Sequence, residues 1–549
     1  MDPLLLFNTV RHLKPVQVVN RFYRSVQKPR LHLPSDATWE LRQPGTPVPV
    51  ASPSAEWSDG EVFDLLHSKI RLSGQDRWRP VSATRLWQYH LHYFSYFESL
   101  SVRRALALLL DWVDLNPPGV SPGWEPYPIS LRLRAWIEWL AAHYTDIEQH
   151  IRAKLLHSVA QQAEWLAQTV ELHLKGNHLL ENAISLTWVG LRVRGPHADR
   201  WFGSGWKLLQ DEVTSQILSD GMHEERSPAY HAAMTHALLR LAYLARIIGG
   251  DRGEAVAALC DSVTGRMLQA LSLLSHPDGC VALLNDAGLD WAPTYQALAK
   301  YAQKDGGANA SGIWGLPQSG YYGWRDEDAY LIFDAGAIGP DHQPGHGHAD
   351  ALSFEFSLRG ERIITDTGVF TYEPGSIRQR DRGTAAHNTI QVNHGEQCEL
   401  WGAFRCGRRP HVEGKADVHT DSTTIGLLSG AAQVHTASAG RYRHQRSIQV
   451  GKQSLTFTDH VVCQNESDLT LRLHLAPGVE ARLQNSEGTV ILLTPTRSTI
   501  KIYLKNADCD VVNSPYHPTF GAEHSRLCLE IQMGRHKTSV LEWSLSWES

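Results

Sequence analysis

Apolar positions change their period near residue 310. From about residue 57 to 305 they recur at three- and four-residue spacing, as in 105–110, 131–140, 151–166, 232–248 and 256–274, which predicts helices. Pro117-Pro118-Gly119 and Gly249-Gly250-Asp251 are breaks between them. About seven or more helices of roughly 12 to 20 residues with short links predict antiparallel helical hairpins, arranged as a toroid or bundle. Beyond residue 320 the period becomes two. Segments 330–333, 353–358, 361–365, 389–392, 447–450, 454–459, 470–475, 490–493, 499–504 and 527–532 read as strands with no helix between them. That pattern predicts a β-sandwich or stacked antiparallel sheets and excludes a parallel α/β fold. The small, polar run 306–312 reads as the joining loop. The expected organisation is an N-terminal extension (1–56) packing on a helical domain (57–310), followed by an antiparallel β-domain (311–549).

Length supports this division, since 549 residues exceed what one hydrophobic core fills. With 42% apolar residues and a net charge of −6, a folded, soluble protein is expected. No basic run is interleaved with stacking aromatics, so nucleic acid is not an expected partner. The seven cysteines lie far apart without a CxxC pair, which argues for a reducing compartment and against a disulfide framework. Residues 3–7 are too short an apolar run for a signal peptide, so a cytoplasmic location is expected, with the periplasm reachable by another route. Between residues 10 and 30, Arg11, Lys14, Arg21, Arg24, Lys28 and Arg30 alternate with Val16, Val18, Val19, Phe22 and Tyr23. A helix packing on its own domain is the first reading; peripheral contact with an anionic membrane is the second.

Three clusters hold residue types suited to chemistry. In Gly176-Asn177-His178-Leu179-Leu180-Glu181-Asn182, His178 and Glu181 share a helical face, and Asn177 sits at a helix start where an amide and an imidazole can meet a substrate carboxylate. The alternative is an ordinary N-cap beside a packing histidine. In the run 220–231, Ser227-Pro228 marks a helix start that puts Tyr230 in its first turn, with Arg226 near enough to ease ionisation of the phenol. The alternative there is a surface loop with Glu224, Glu225 and Arg226 in salt bridges. The third cluster gathers His342, His346, His348, Asp350, Asp366 and His387 around one strand-turn-strand unit. A hairpin turning at Arg359-Gly360 brings Asp366 opposite roughly Ser353, near His348 and Asp350. Two imidazoles and a carboxylate meeting there suit Zn²⁺. Sugar rings stack on aromatics, so Trp87 and Trp124 are expected to line a cleft, whereas Trp136 and Trp139 have the spacing of a core stripe.

Taken in order, Trp124-Glu125-Pro126-Tyr127-Pro128-Ile129-Ser130, the 176–182 run, Arg226-Ser227-Pro228-Ala229-Tyr230-His231, His346-Gly347-His348-Ala349-Asp350, Asp366-Thr367-Gly368 and Ala386-His387-Asn388 resemble the heparinase II/III-like polysaccharide lyases. The resemblance covers most of residues 85 to 410. It implies an α+β multidomain protein, with an N-terminal (α/α) toroid followed by a C-terminal antiparallel β-sandwich. It also implies cleavage of an acidic, uronate-containing polysaccharide or oligosaccharide by β-elimination, without an organic cofactor. By resemblance, Asn177 and His178 sit at the uronate carboxylate, and Tyr230 and His346 are the proton-transfer groups, either one serving as base. Glu181 and Arg226 orient substrate or Tyr230, Tyr127 joins the binding surface, and His348, Asp366 and His387 bind a structural Zn²⁺. A glycoside hydrolase using Glu181 with Glu224 or Glu225 is the rival enzyme reading. A non-catalytic glycan-binding protein of a polysaccharide-assembly system is the other.

Overall fold

The computed structural model describes all residues except 1, 2, 27, 35, 36, 53, 305–310, 419–423, 485–487, 506 and 549. Most of the expected joining loop, 306–312, therefore lies outside the described residues. Among those described there are twelve α-helices: α1 (Pro3–Val10), α2 (Pro15–Val26), α3 (Arg85–Tyr93), α4 (Val102–Leu115), α5 (Pro126–Ala142), α6 (Gln149–Thr169), α7 (Gly176–Arg192), α8 (Ala198–Gln216), α9 (Pro228–Ile248), α10 (Gly250–Leu273), α11 (Tyr295–Tyr301) and α12 (Ser376–Arg382). Local chemistry starts several of them. Thr84 and Ser227 cap α3 and α9 by accepting from the N–H groups of Trp87 and Tyr230, and Pro126 and Pro228 occupy first turns, where a missing N–H costs nothing.

Helices α7 with α8 and α9 with α10 pack as antiparallel hairpins, and α5 packs on both α6 and α7, forming an (α/α) toroid. Helix α7 is buried on nearly every side, so its polar residues, among them Glu181, Asn182 and Ser185, are buried with partners inside the protein. The helical pattern overreached at its start. Residues 57–84 hold a small sheet (Trp57–Ser58, Val62–Leu65, Ser68–Arg71), because Gly60 and the left-handed Leu66 and His67 turn the chain too often for a helix. The extension before it touches both halves. Trp39 packs into the helical core, while Asn8 donates to Glu399 and Thr9 accepts from the Trp401 indole.

The β-half is a sandwich of unequal sheets. The inner sheet runs Glu361–Ile364, Phe354–Leu358, Ala329–Asp334, Tyr321–Arg325, Gly312–Leu316, in that order and antiparallel. Three of its strands are buried on both faces. Tyr321, Tyr330 and Ile332 face the helices through Met222, Ala270 and Leu274; Tyr322, Leu331, Phe354 and Phe356 face the outer sheet. The outer sheet has ten strands and alternates buried with exposed positions, as one solvated face requires. Segments expected as separate strands, 454–459 and 470–475, are one strand (Ser454–His474) whose ladder continues across an irregularity between Val462 and Ser467. In the inner hairpin a bulge between Arg362 and Ile364 sets Ile364 opposite Phe356, one residue off the expected register. The expected polar face of that hairpin is also buried. Glu355 is sealed between His276 at 2.6 Å and Arg362 at 3.6 Å.

Candidate active site

The start of α7, the start of α9 and the loops leaving the inner sheet converge where helices meet sandwich. Gly176 opens α7 with φ +58°, and a Cβ there would stand 1.9 Å from Glu225 Oε1, so a larger residue would be strained and would displace that carboxylate. Glu225 then caps the helix: the Asn177 backbone N–H donates to Oε1 and its side-chain amide to Oε2, both at 2.7 Å. Burial opposes the Glu225 charge, but His346, His223 and these bonds outweigh it and hold the carboxyl below its usual range. His178, half-buried, has Nδ1 3.1 Å from Glu171 Oε1, and its ring lies 4.3 Å from that of Tyr127. Burial works against its imidazolium, yet Glu171 outweighs burial and His178 titrates above its ordinary value. Glu181 is buried in an ion pair with Arg134.

Across from α7, the Tyr230 ring lies 4.1 Å from the His346 ring, and its hydroxyl is 3.1 Å from that of Tyr372. Burial pushes the Tyr230 phenol well above its ordinary value, with the Tyr372 hydrogen bond only partly opposing it. This corrects the expectation that Arg226 eases its ionisation. Arg226 points elsewhere, donating to the carbonyls of Ala337 and Gln318 and so tying the α9 entry to the sheet loops. His346 Nδ1 is 2.9 Å from Asp286 Oδ2, and its Nε2 lies 3.4 Å from the Asn177 amide nitrogen and 3.5 Å from Glu225. Two more expectations are corrected here. Trp87 and Trp124 are not cleft residues: both are buried, their indoles donating to the carbonyls of Ser68 and Asn116. The aromatic walls beside Tyr230 and His346 are Tyr372 and Phe404, whose rings lie 6.0 Å from that of His346.

Asp286 is the residue that sequence reading missed. It sits fully buried in a loop after α10 and accepts from His346 on Oδ2, from His348 Nε2 on Oδ1 at 2.8 Å, and from Arg378 on both oxygens. Burial opposes its charge, but Arg378 and the two histidines hold it ionised well below the carboxylate range. An ionised carboxylate only accepts, so each histidine carries its proton on the nitrogen facing Asp286. The opposite nitrogens carry lone pairs whenever the rings are neutral. Nothing in the local sequence beyond an Asn-Asp pair following an apolar run marks Asp286. Its partners come from segments 60 and 92 residues away.

On the far side of Asp286 lies a group that could hold a metal ion. His348, Asp350 and His387 are buried and place ligand atoms within 4.8 Å of one another. His348 Nδ1, His387 Nε2 and Asp350 Oδ2 have no hydrogen-bond partner. Burial keeps His348 neutral, with its pKa lowered against the pull of Asp286. Burial works the same way on His387, but Asp366 and Asp350 outweigh it and raise that imidazole to about 9. Asp366, expected as a ligand, stands one step back, with Oδ2 2.8 Å from His387 Nδ1, orienting the ring. The carboxylate in the ligand group is Asp350. His342, from the same sequence cluster, belongs to neither set and lies 3.8 Å from Glu224.

Residues 78–304 match the heparinase II/III N-terminus and residues 308–543 the heparinase II/III-like C-terminal family. Among curated proteins, a heparin-sulfate lyase of Pedobacter heparinus is 26% identical over 317 residues, covering 52% of this chain and 47% of the relative. One of Bacteroides thetaiotaomicron is 22% identical over 389 residues, covering 59% and 54%. The chain thus spans about half the length of the curated relatives it matches. A crystal structure of heparinase III superposes with a TM-score of 0.68 at 18% identity, over 86% of this chain and 78% of that one, which shows a shared fold. Two family matches that together run through both the helical and the sheet half, in the order in which the site draws on them, show that this chain belongs to the heparinase II/III-like family.

Proposed function

We propose that this protein is a polysaccharide lyase, acting on an acidic, uronate-containing glycan by β-elimination where helices and sandwich meet. The observation that carries the reading is the Tyr230–His346 pair facing the α7 start that bears Asn177 and His178. Elimination needs a group to neutralise the uronate carboxylate, a base for the C5 proton and an acid for the departing O4. His178, whose imidazolium Glu171 favours, supplies positive charge, with the Asn177 amide beside it. His346 has its Nδ1 proton fixed on Asp286, so its Nε2 lone pair suits the base. Tyr230, whose raised pKa keeps the phenol protonated, suits the acid at O4. Tyr127, packed on His178, is the remaining expected substrate contact. The names of the heparin-sulfate lyase relatives favour a glycosaminoglycan as substrate class.

A hydrolase reading is disfavoured by the same geometry, because Glu181 is locked to Arg134 and Glu225 to Asn177. A screen of acidic glycans read at the ultraviolet absorbance of an unsaturated uronate tests the proposal. Turnover should fall about 10²–10⁴-fold in Tyr230→Phe. Absence of that absorbance with every uronate glycan, or full activity in the variant, overturns it.

The metal we infer is Zn²⁺, because two imidazoles, each of which ligates once deprotonated, and a carboxylate are the donor types that ion takes. His348, His387 and Asp350 would hold it, with Asp366 and Asp286 orienting the two rings. Bound there it would fix the loop that presents His346, which is a structural role. We further read 57–310 and 311–549 as two domains that contribute jointly to the site, so that neither alone is active.

A further inference from the structure

Helix α2 is amphipathic the wrong way round for a helix that only packs on its own domain. Its one buried residue is Gln17, 3% exposed, which donates to the carbonyls of Leu174 and His342. Arg24, on the same polar side, donates to the Thr169 carbonyl. The apolar side faces out: Phe22 is 73% exposed, Val26 65% and Val19 64%, with Val18 and Tyr23 also above half. Helix α1 adds the exposed Leu6, Phe7 and Val10. A contiguous face of this kind on an otherwise well-packed protein marks a surface that something covers.

Charge says what. Between Pro3 and Ser35 there are six Lys and Arg residues and no Asp or Glu, in a chain whose net charge is −6. Arg21 and Lys28 are both exposed. A cavity of about 430 Å³ under α1 is lined by Leu4, Phe7, Arg11, Arg408, Arg409 and His435, and the Arg409 Nε there has no acceptor. We propose that α1 and α2 form a monotopic docking surface for a membrane rich in anionic phospholipid. The apolar face enters the headgroup boundary, and the cations meet lipid phosphates. The 12 residues of α2 reach only about 18 Å, short of the roughly 30 Å hydrocarbon core, so the helix lies flat. Among the described residues no helix is long and apolar enough to cross a membrane. This surface is independent of the elimination chemistry and stands or falls without it.

The test is co-sedimentation of the full chain with vesicles of phosphatidylcholine alone and of phosphatidylcholine with phosphatidylglycerol at about 7:3. Binding is expected only to the anionic vesicles and should weaken as salt rises. The double variant Val19→Ser/Phe22→Ser should partition at least ~10-fold less, and Arg21→Gln/Lys28→Gln should also weaken binding, both with unchanged melting temperature. Three results overturn the proposal. One is no binding to anionic vesicles. Another is binding indifferent to Val19→Ser/Phe22→Ser. The third is a dimer in sedimentation equilibrium that the same variant splits, which would make a second copy the cover.

Discussion

His346 and His348 lie two residues apart and lean on the two oxygens of one carboxylate, yet their surroundings give them different work. The free nitrogen of His346 looks across to Asn177 and Glu225, under the half-buried ring of Tyr230. The free nitrogen of His348 looks inward to His387 and Asp350, where no water-facing group lies. Gly347 makes the split feasible, since a Cβ at that position would strike the Ile338 carbonyl at 2.0 Å. An imidazole's role is thus set less by its own sequence motif than by what its second nitrogen meets.

Breaking the shared support should hurt both sides at once. Asp286→Ala leaves the Arg378 guanidinium buried without its partner, and a loss of about 3–5 kcal/mol in unfolding free energy is expected, together with loss of the proposed lyase activity. Denaturant melts and kinetics on one preparation check this, and unchanged stability would remove Asp286 from its bridging role. The two sides should then separate. His346→Gln and Tyr230→Phe should lower kcat about 10²–10⁴-fold with melting temperature and metal content intact. His387→Gln and Asp350→Asn should instead release metal, seen by elemental analysis, and lower the melting temperature. At metal about 100-fold above its dissociation constant the stabilisation lost is about 2.7 kcal/mol, and chelation should reproduce it. A variant of Asp350 that keeps full metal content would return the ligand role to Asp366.

The smallest effect concerns pH. His178 has a folded pKa above its unfolded value, so its pairing with Glu171 stabilises fully below about pH 6.5 and fades as pH rises through the raised value. Glu171 is shifted the other way: burial would raise it, but His178 and Asn182 hold it low, so its share is present above about pH 4.5 and fades on acidification. On the proposed reading, activity declines over the same alkaline limb, as the substrate carboxylate loses its cationic partner. A His178→Gln variant should lack that limb, and an unaltered profile would remove the imidazolium from substrate binding.

Much of this architecture was legible in the chain. The switch of apolar period near residue 310, the Ser227-Pro228 helix start and the Arg359-Gly360 turn are local signals, and each has its local outcome in the structure. Among the strands that escaped notice are 312–316, 321–325, 411–418, 424–436 and 508–519. The first two are glycine-interrupted or wrapped on both sides, so neither alternates cleanly, and 411–418 is an edge strand with no fully buried side chain to mark it. Trp87 and Trp124 misled because a tryptophan that packs in a core and one that stacks on a sugar look alike until burial is known.

By itself the sequence determined element type, the α-then-β order and the residue types able to neutralise charge, move protons and bind metal, because period, capping and side-chain chemistry act over a few residues. Only the tertiary structure decided that Asp286 would join the two histidines, that Asp350 rather than Asp366 would enter the ligand group, and that Tyr230 would be buried enough to keep its proton. Those outcomes depend on desolvation and on partners brought from distant segments, and neither quantity exists until the two halves of the chain pack.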